Sequence, residues 1–244
     1  MAADAGQLTS GFVRVSRLDR RFESRTVLDG LDLTIAPGEF VALLGHSGSG
    51  KSTLLRAMAG IDYDASGGGT VETPAAVSMV FQDSRLLPWL RVLDNVVLGL
   101  SGGSAAVARG REALAEVGLA GRERAWPNQL SGGEQQRASL ARSLVREPEL
   151  LLADEPFGAL DALTRIKMQR LLRDLCDRHR PAVLLVTHDV DEAVLLADRV
   201  IVLHDGRAGL DLNVDLPQPR SPRNAGFQTY RERLLGALGV TELN

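Results

Sequence analysis

Apolar residues fall into short runs along the first fifty positions: 12–18 (FVRVSRL), 31–35 (LDLTI) and 40–44 (FVALL), with the turn signal Ala36-Pro37-Gly38 between the last two. Such runs predict strands. The third ends in glycines and gives way to a helical spacing, Leu54, Leu55, Met58 and Ala59, which places apolar side chains on one face. A Gly/Ser stretch at 66–69 predicts a turn before a further strand at 77–81 (VSMVF). From about 92 to 145 the pattern turns helical, broken at Ser101-Gly102-Gly103 and Trp126-Pro127, as expected of an inserted helical layer. Strand and helix then alternate. ELLLAD ends at Asp154; Met168, Leu171, Leu172 and Leu175 stripe a helix; AVLLVT follows; Val190, Ala193, Val194 and Ala197 stripe another helix before RVIVL at 199–203. Apolar strands bounded by amphipathic helices imply a sheet covered on both faces, an α/β fold. Beyond about Asp215 the chain is Pro-rich and polar, then helix-like at 227–238, which predicts a short tail packed on the domain.

Composition narrows the class. The 244 residues are 44% hydrophobic and 24% charged, the balance of an ordinary globular protein. A net charge of −3 argues against nonspecific nucleic-acid binding, and 4% aromatics against a platform for stacking single strands. No stretch approaches the roughly 18 consecutive apolar residues of a membrane span, and the start MAADAGQLTS lacks the regions of a secretory signal, so a cytosolic chain is expected. The single cysteine, Cys176, excludes an internal disulfide and is expected to be a small buried side chain; four scattered His residues show no zinc spacing. Arg220, Arg223, Arg231 and Arg233 are expected on a solvated surface, with contact to anionic lipid as the alternative.

The strongest local signal is GHSGSGKST, residues 45–53, which satisfies G-x-x-x-x-G-K-[ST] after a predicted strand and before a predicted helix. Gly45, Gly48 and Gly50 let the backbone wrap a phosphate chain with N–H groups inward. Lys51 would neutralise β- and γ-phosphates and Ser52 would ligate Mg²⁺. His46, Ser47, Ser49 and Thr53 complete the candidate phosphate loop; His46 holds a variable position and is expected to be a solvent-facing spacer. ELLLADEP delivers Asp154 at a strand end as a candidate Mg²⁺ carboxylate and Glu155 as a candidate general base, although adjacent acids after a strand are also common in a solvated turn. In LSGGEQQR, Ser131, Gly132 and Gly133 open a helix whose N–H groups can receive a second anion, with Ser131 and Glu134 forming a capping box.

LSGGEQQR after a phosphate loop and before an apolar strand ending in Asp-Glu resembles the signature motif of ATP-binding-cassette proteins. The resemblance covers about 12–212 and implies a P-loop NTPase core with an antiparallel β subdomain and an inserted α-helical signature subdomain at about 92–146. The nucleotide-binding domain would span 10–215 and the tail 216–244. It further implies that Phe22 stacks on adenine, a core Phe being the alternative, and that Gln82 touches Mg²⁺ and the lytic water. On the same resemblance His188 in VTHD would contact the γ-phosphate, Asp161 would lie in a loop crossing the dimer interface, and Ser131, Gly132, Gly133 and Gln135 would close on the ATP of a second copy. The cofactors implied are ATP and Mg²⁺. The partners implied are a second copy, two integral-membrane permease subunits and a separate solute-binding protein, with no nucleic acid, and the implied location is the cytoplasmic face of the membrane. DSRLLPWLRVLDNVVLGL and DEPFGALDALTR resemble ATPase subunits of nitrate, sulfonate and taurine importers, among which aliphatic sulfonates are the favoured cargo. Leu87, Pro88 and Trp89 are either an exposed anchor for a partner helix or a satellite core cluster.

Overall fold

The computed structural model describes residues 12–240; residues 10 and 11 of the expected domain and 241–244 of the expected tail lie outside the described residues. β1 (Val13–Phe22) and β2 (Arg25–Ile35) form an antiparallel hairpin that closes at Phe22↔Arg25. Both strands outrun the predicted 12–18 and 31–35. The extension is largely polar, carries register shifts and is tied outward by an Arg20–Asp62 ion pair, so no apolar alternation betrays it. A three-residue strand, β4 (Thr70–Glu72), too short to leave a period, completes a sheet of order β2-β1-β4.

The second sheet runs β5-β6-β7-β3-β8-β9: β5 (Val77–Val80), β6 (Leu150–Asp154), β7 (Ala182–Val186), β3 (Phe40–Gly45), β8 (Arg199–His204) and β9 (Arg207–Asn213). All pair parallel except β9, an antiparallel edge strand that only Leu212 buries fully, which explains why the sequence pattern does not show it. Within β3, Phe40, Ala42 and Leu44 enter one core while Val41 and Leu43 enter the other; in β6, Leu151 and Ala153 oppose Leu150 and Leu152 in the same way. The second core lies between this sheet, the hairpin and α1 (Lys51–Met58). The first lies under α2 (Val92–Val96), α3 (Ser104–Glu116), α4 (Gly132–Leu144), α5 (Ala162–His179), α6 (Val190–Leu196) and α7 (Ala225–Ala237). Helices α2 to α4 form the insert between β5 and β6.

Helix α1 opens from Gly50 with no side-chain cap, whereas α4, α5 and α6 each start on their own. Ser131 Oγ accepts from Glu134 N at the start of α4, Asp161 from Leu163 N and Thr164 N at α5, and Asp189 from Asp191 N and Glu192 N at α6. The tail corrects one expectation. Arg220 is not a solvated surface residue: its guanidinium donates to the carbonyls of Val194, Ala197, Val214 and Leu216, and Arg231 pairs with Asp191. Carbonyls at the end of α6 lack helical partners, and Arg220 supplies donors to them.

Candidate nucleotide site

Because β6, β7 and β3 are parallel neighbours, their C-terminal ends open side by side. β3 feeds the loop 45–50, β6 delivers Asp154 and Glu155, and β7 leads into Thr187 and His188. A cavity of about 540 Å³ lies there, within the range of a small-molecule site. Of the residues singled out above, Phe22, Gly45, Ser47, Gly48, Gly50, Lys51, Ser52, Thr53, Glu155 and His188 line it. Arg25 and Val27 also line it. No spacing in the sequence could reveal those two, since only the hairpin register folds β2 over the loop.

Gly50 is required by both conformation and space. Its φ is +105°, and a Cβ would sit 2.7 Å from Leu28 Cδ2 and 2.8 Å from the Val27 carbonyl oxygen. Lys51 follows, with Nζ donating to the carbonyls of Gly45 (2.7 Å) and His46 (3.0 Å). An ammonium has three donors, so one N–H remains to meet a phosphate oxygen. Burial pulls the Lys51 pKa below its ordinary value, while Glu155 and Asp154 pull it back up. Across the cavity, Glu155 takes a left-handed backbone (φ +45°), its N–H donates to Val186 O at 2.9 Å, and its Oε2 lies 3.2 Å from His188 Nδ1. A non-glycine residue held in that region, beside a histidine and over a cavity, is a strained position of the kind found at functional sites. Burial, and then the neighbouring Glu155, raise the Asp154 carboxyl above its ordinary value.

Four expected site residues stand elsewhere. His46 is exposed, as expected, but it is more than a spacer: its Nε2 bonds the carbonyl of Leu238, 2.7 Å away, and its ring does not line the cavity. The Ser49 hydroxyl is buried without a hydrogen-bond partner and faces the Gly45 side of the loop. Asp154 sits just behind Glu155, off the cavity wall, and Gln82 packs toward Gly158, whose added Cβ would come within 3.1 Å of Gln82 Nε2.

The signature residues do not line this cavity. Ser131 and Glu134 close the capping box through bonds of 2.9 to 3.3 Å. At Gly133 a Cβ would meet Thr164 Cγ2 at 2.5 Å, so packing against Thr164 favours glycine there; at Gly132 a Cβ would meet nothing within 4 Å. Gln135 is occupied by its own chain, donating to Pro127 O and Leu130 O and accepting from Ser84 Oγ. Its amide therefore braces the turn before α4 within this chain. Two residues that sequence reasoning passed over matter to this geometry. Buried Gln136 donates to Phe81 O and Pro156 O, joining the end of β5 to the segment after Glu155. Asn95, wholly buried, binds Leu87 N, Leu87 O, Leu90 O and Arg91 O and so shapes the turn that leaves Trp89 68% exposed.

The sequence profile of the family described as ABC transporter matches residues 28–158. The chain belongs to the ABC transporter family. It is 70% identical over 242 residues to the aliphatic sulfonates import ATP-binding protein SsuB 2 of Streptomyces avermitilis, covering 99% of this chain and 96% of that one. It is 72% identical over 228 residues to the protein of the same name from Nocardia farcinica, covering 93% and 95%. Among solved structures it matches the dimeric structure of a post-hydrolysis state of the ATP-binding cassette MJ0796 bound to ADP and Pi, with TM-score 0.72 and 32% identity over 84% of this chain and all of that one. The fold is thus that of an ABC ATPase, which binds and hydrolyses ATP, and among the described residues no helix is long and apolar enough to cross a membrane.

Proposed function

We propose that this chain is the ATP-hydrolysing subunit of an importer of aliphatic sulfonates, working at the cytoplasmic face of a membrane. Its partners are a second copy, two permease subunits and a separate solute-binding protein. In this reading the nucleotide-binding domain is 10–215 and 216–244 is its tail, of which the described part, 216–240, packs on the domain. The observation that carries the catalytic reading is the Glu155–His188 pair, 3.2 Å apart, facing Lys51 across one cavity. The choice of cargo rests on near-full-length identity to proteins named for aliphatic sulfonates.

In this reading the loop 45–53 cradles the phosphates with its N–H groups and the start of α1, Lys51 turns its free N–H to the β- and γ-oxygens, and Phe22 stacks on the adenine. Glu155 accepts a proton from water as its oxygen attacks the γ-phosphorus; the bond to the bridging oxygen breaks, and ADP carries away the electron pair. His188 orients Glu155 and contacts the γ-phosphate. Ser52, Gln82 and Asp154 would hold Mg²⁺. Among the described residues no group of three or more His, Cys, Asp or Glu is arranged to cage a metal. One hydroxyl, one amide and one carboxylate suit an ion that takes its remaining ligands from water and phosphate. Mg²⁺ supplies charge neutralisation on the phosphate oxygens.

Ser131, Gly132 and Gly133 would meet the ATP of the second copy, and Asp161 would lie in the loop between copies. Gly132 supports this: glycine weakens a helix, and nothing in this chain needs its missing Cβ. Trp89 would anchor a cytoplasmic helix of the permease. The test is ATP hydrolysis in liposomes by the chain with its permease, offered an alkanesulfonate, taurine or nitrate with the matching binding protein. Stimulation by the alkanesulfonate alone is expected; stimulation by nitrate or taurine would change the cargo, and no dependence on permease would overturn the transport reading. Glu155→Gln should retain ATP binding and lose turnover, and turnover at the parent rate would refute its role as base.

A further inference from the structure

His46 sits in the phosphate loop, yet its side chain is engaged with the far end of the chain. Nε2 and the carbonyl oxygen of Leu238, the residue that caps α7, are 2.7 Å apart. The acceptor is a carbonyl, so Nε2 donates, and it does so to one of the carbonyls that a helix end leaves for outside donors. The backbone carbonyl of the same His46 is one of the two acceptors holding Lys51 Nζ. Anchoring the side chain therefore steadies a group that positions the phosphate-binding ammonium.

Besides the bonds that tie Tyr230 to Asp215 N and Gln228 to Pro222 O, α7 has a polar tie on the opposite side of the site. Arg231 Nε donates to Asp191 Oδ1 at 2.9 Å, in the first turn of α6, whose capping residue Asp189 directly follows His188. Phe227 and Leu234 of α7 are wholly buried in the core shared with α6, so the helix cannot slide freely between its two anchors. Arg231 and Leu238 are about 10 Å apart along the helix axis. One rigid element thus touches both the loop that carries Lys51 and the helix behind His188.

We propose that α7 is a strap joining the phosphate loop to the helix behind His188, with His46 as a positioning residue of the ATP site and Arg231 as the second anchor. The proposal rests on the reading of the cavity as an ATP site. Its consequence is reciprocal: if α7 steadies the loop for ATP, then ATP steadies the last turn of α7.

The experiment uses the full chain with His46→Leu, which removes the donor, and His46→Gln, which keeps one at similar reach. ATP affinity is measured at equilibrium, and amide hydrogen exchange of residues 225–238 is followed with and without ATP. One hydrogen bond fully expressed in binding corresponds to a loss of about 2- to 12-fold in ATP affinity for His46→Leu. Recovery is expected in His46→Gln. ATP should slow exchange at the end of α7 in the parent and in His46→Gln but not in His46→Leu, a difference that a merely stabilising contact would not produce. Parent-like affinity together with preserved protection in His46→Leu overturns the strap while leaving the ATP site intact; failure of the parent to bind ATP overturns both. If His46→Leu does not fold, Arg231→Leu takes its place: loss of ATP-dependent protection over residues 187–196 supports the strap, and unchanged protection overturns it.

Discussion

Gly132 and Gly133 are neighbours in the signature segment, and the structure gives them opposite reasons to be glycine. At Gly132, the first residue of α4, an added Cβ meets nothing within 4 Å. Gly132→Ala should therefore stabilise the isolated chain by about 0.4–1 kcal/mol, through the lost freedom of the unfolded state. For a chain of this size that is a rise of about 1–4 °C in the unfolding midpoint. At Gly133 the Cβ would lie 2.5 Å from Thr164 Cγ2. That side chain cannot swing aside freely, because it is β-branched and bonds the Asp161 carboxylate. Gly133→Ala should cost about 1–3 kcal/mol as overpacking, and Thr164→Ala in the same chain should recover part of it, since the next atom, Thr164 Cβ, is 3.8 Å away. Activity separates the two further. If the open face at Gly132 receives the partner copy's nucleotide, a methyl there displaces the phosphates by about 1 Å, and ATPase in the assembled importer should fall about 100-fold despite the gain in stability. Thermal unfolding and steady-state ATP hydrolysis of the three variants decide the matter. A destabilised Gly132→Ala would refute the packing argument, and a stable, fully active one would refute the assignment of this face to a second nucleotide.

Further outcomes follow from buried groups. Asn95→Ala removes the acceptor for Leu87 N–H and the donor for three carbonyls, and should destabilise the chain by about 1–3 kcal/mol while changing Trp89 fluorescence before global unfolding; a denaturant titration followed at both signals checks it. Burial holds the Glu192 carboxyl above its ordinary 4.5, opposed by bonds from Thr187 and Gln169. The folded chain thus keeps a proton that the unfolded chain releases, and stability falls as pH rises from about 4.5 through the folded value. Glu192→Gln keeps an acceptor for Gln169 without titrating, so its unfolding midpoint should fall less between pH 4 and 8; parallel profiles would contradict this. Burial pushes the Cys176 thiol up to about 12, so a thiol reagent at pH 8 should label it only in denaturant, and rapid labelling of the folded chain would show that the site opens.

Sequence alone determined what depends on neighbours a few positions apart. The phosphate loop, the signature segment and the acidic pair after ELLLA are each a local string whose chemistry dictates residue type and spacing, and the strands of the parallel sheet are legible because burial on both faces leaves continuous apolar runs. Tertiary structure decided what meets across long stretches of chain. Glu155 and His188 come together only because β6 and β7 are parallel neighbours, and Arg25 and Val27 reach the cavity only because the hairpin register runs on to Phe22. Polar side chains were the least legible. Whether Gln135, Gln136, Asn95, Arg220 or His46 serves the solvent, a ligand or its own backbone depends on which carbonyls the fold leaves unpaired beside it, and no pattern along the chain records that.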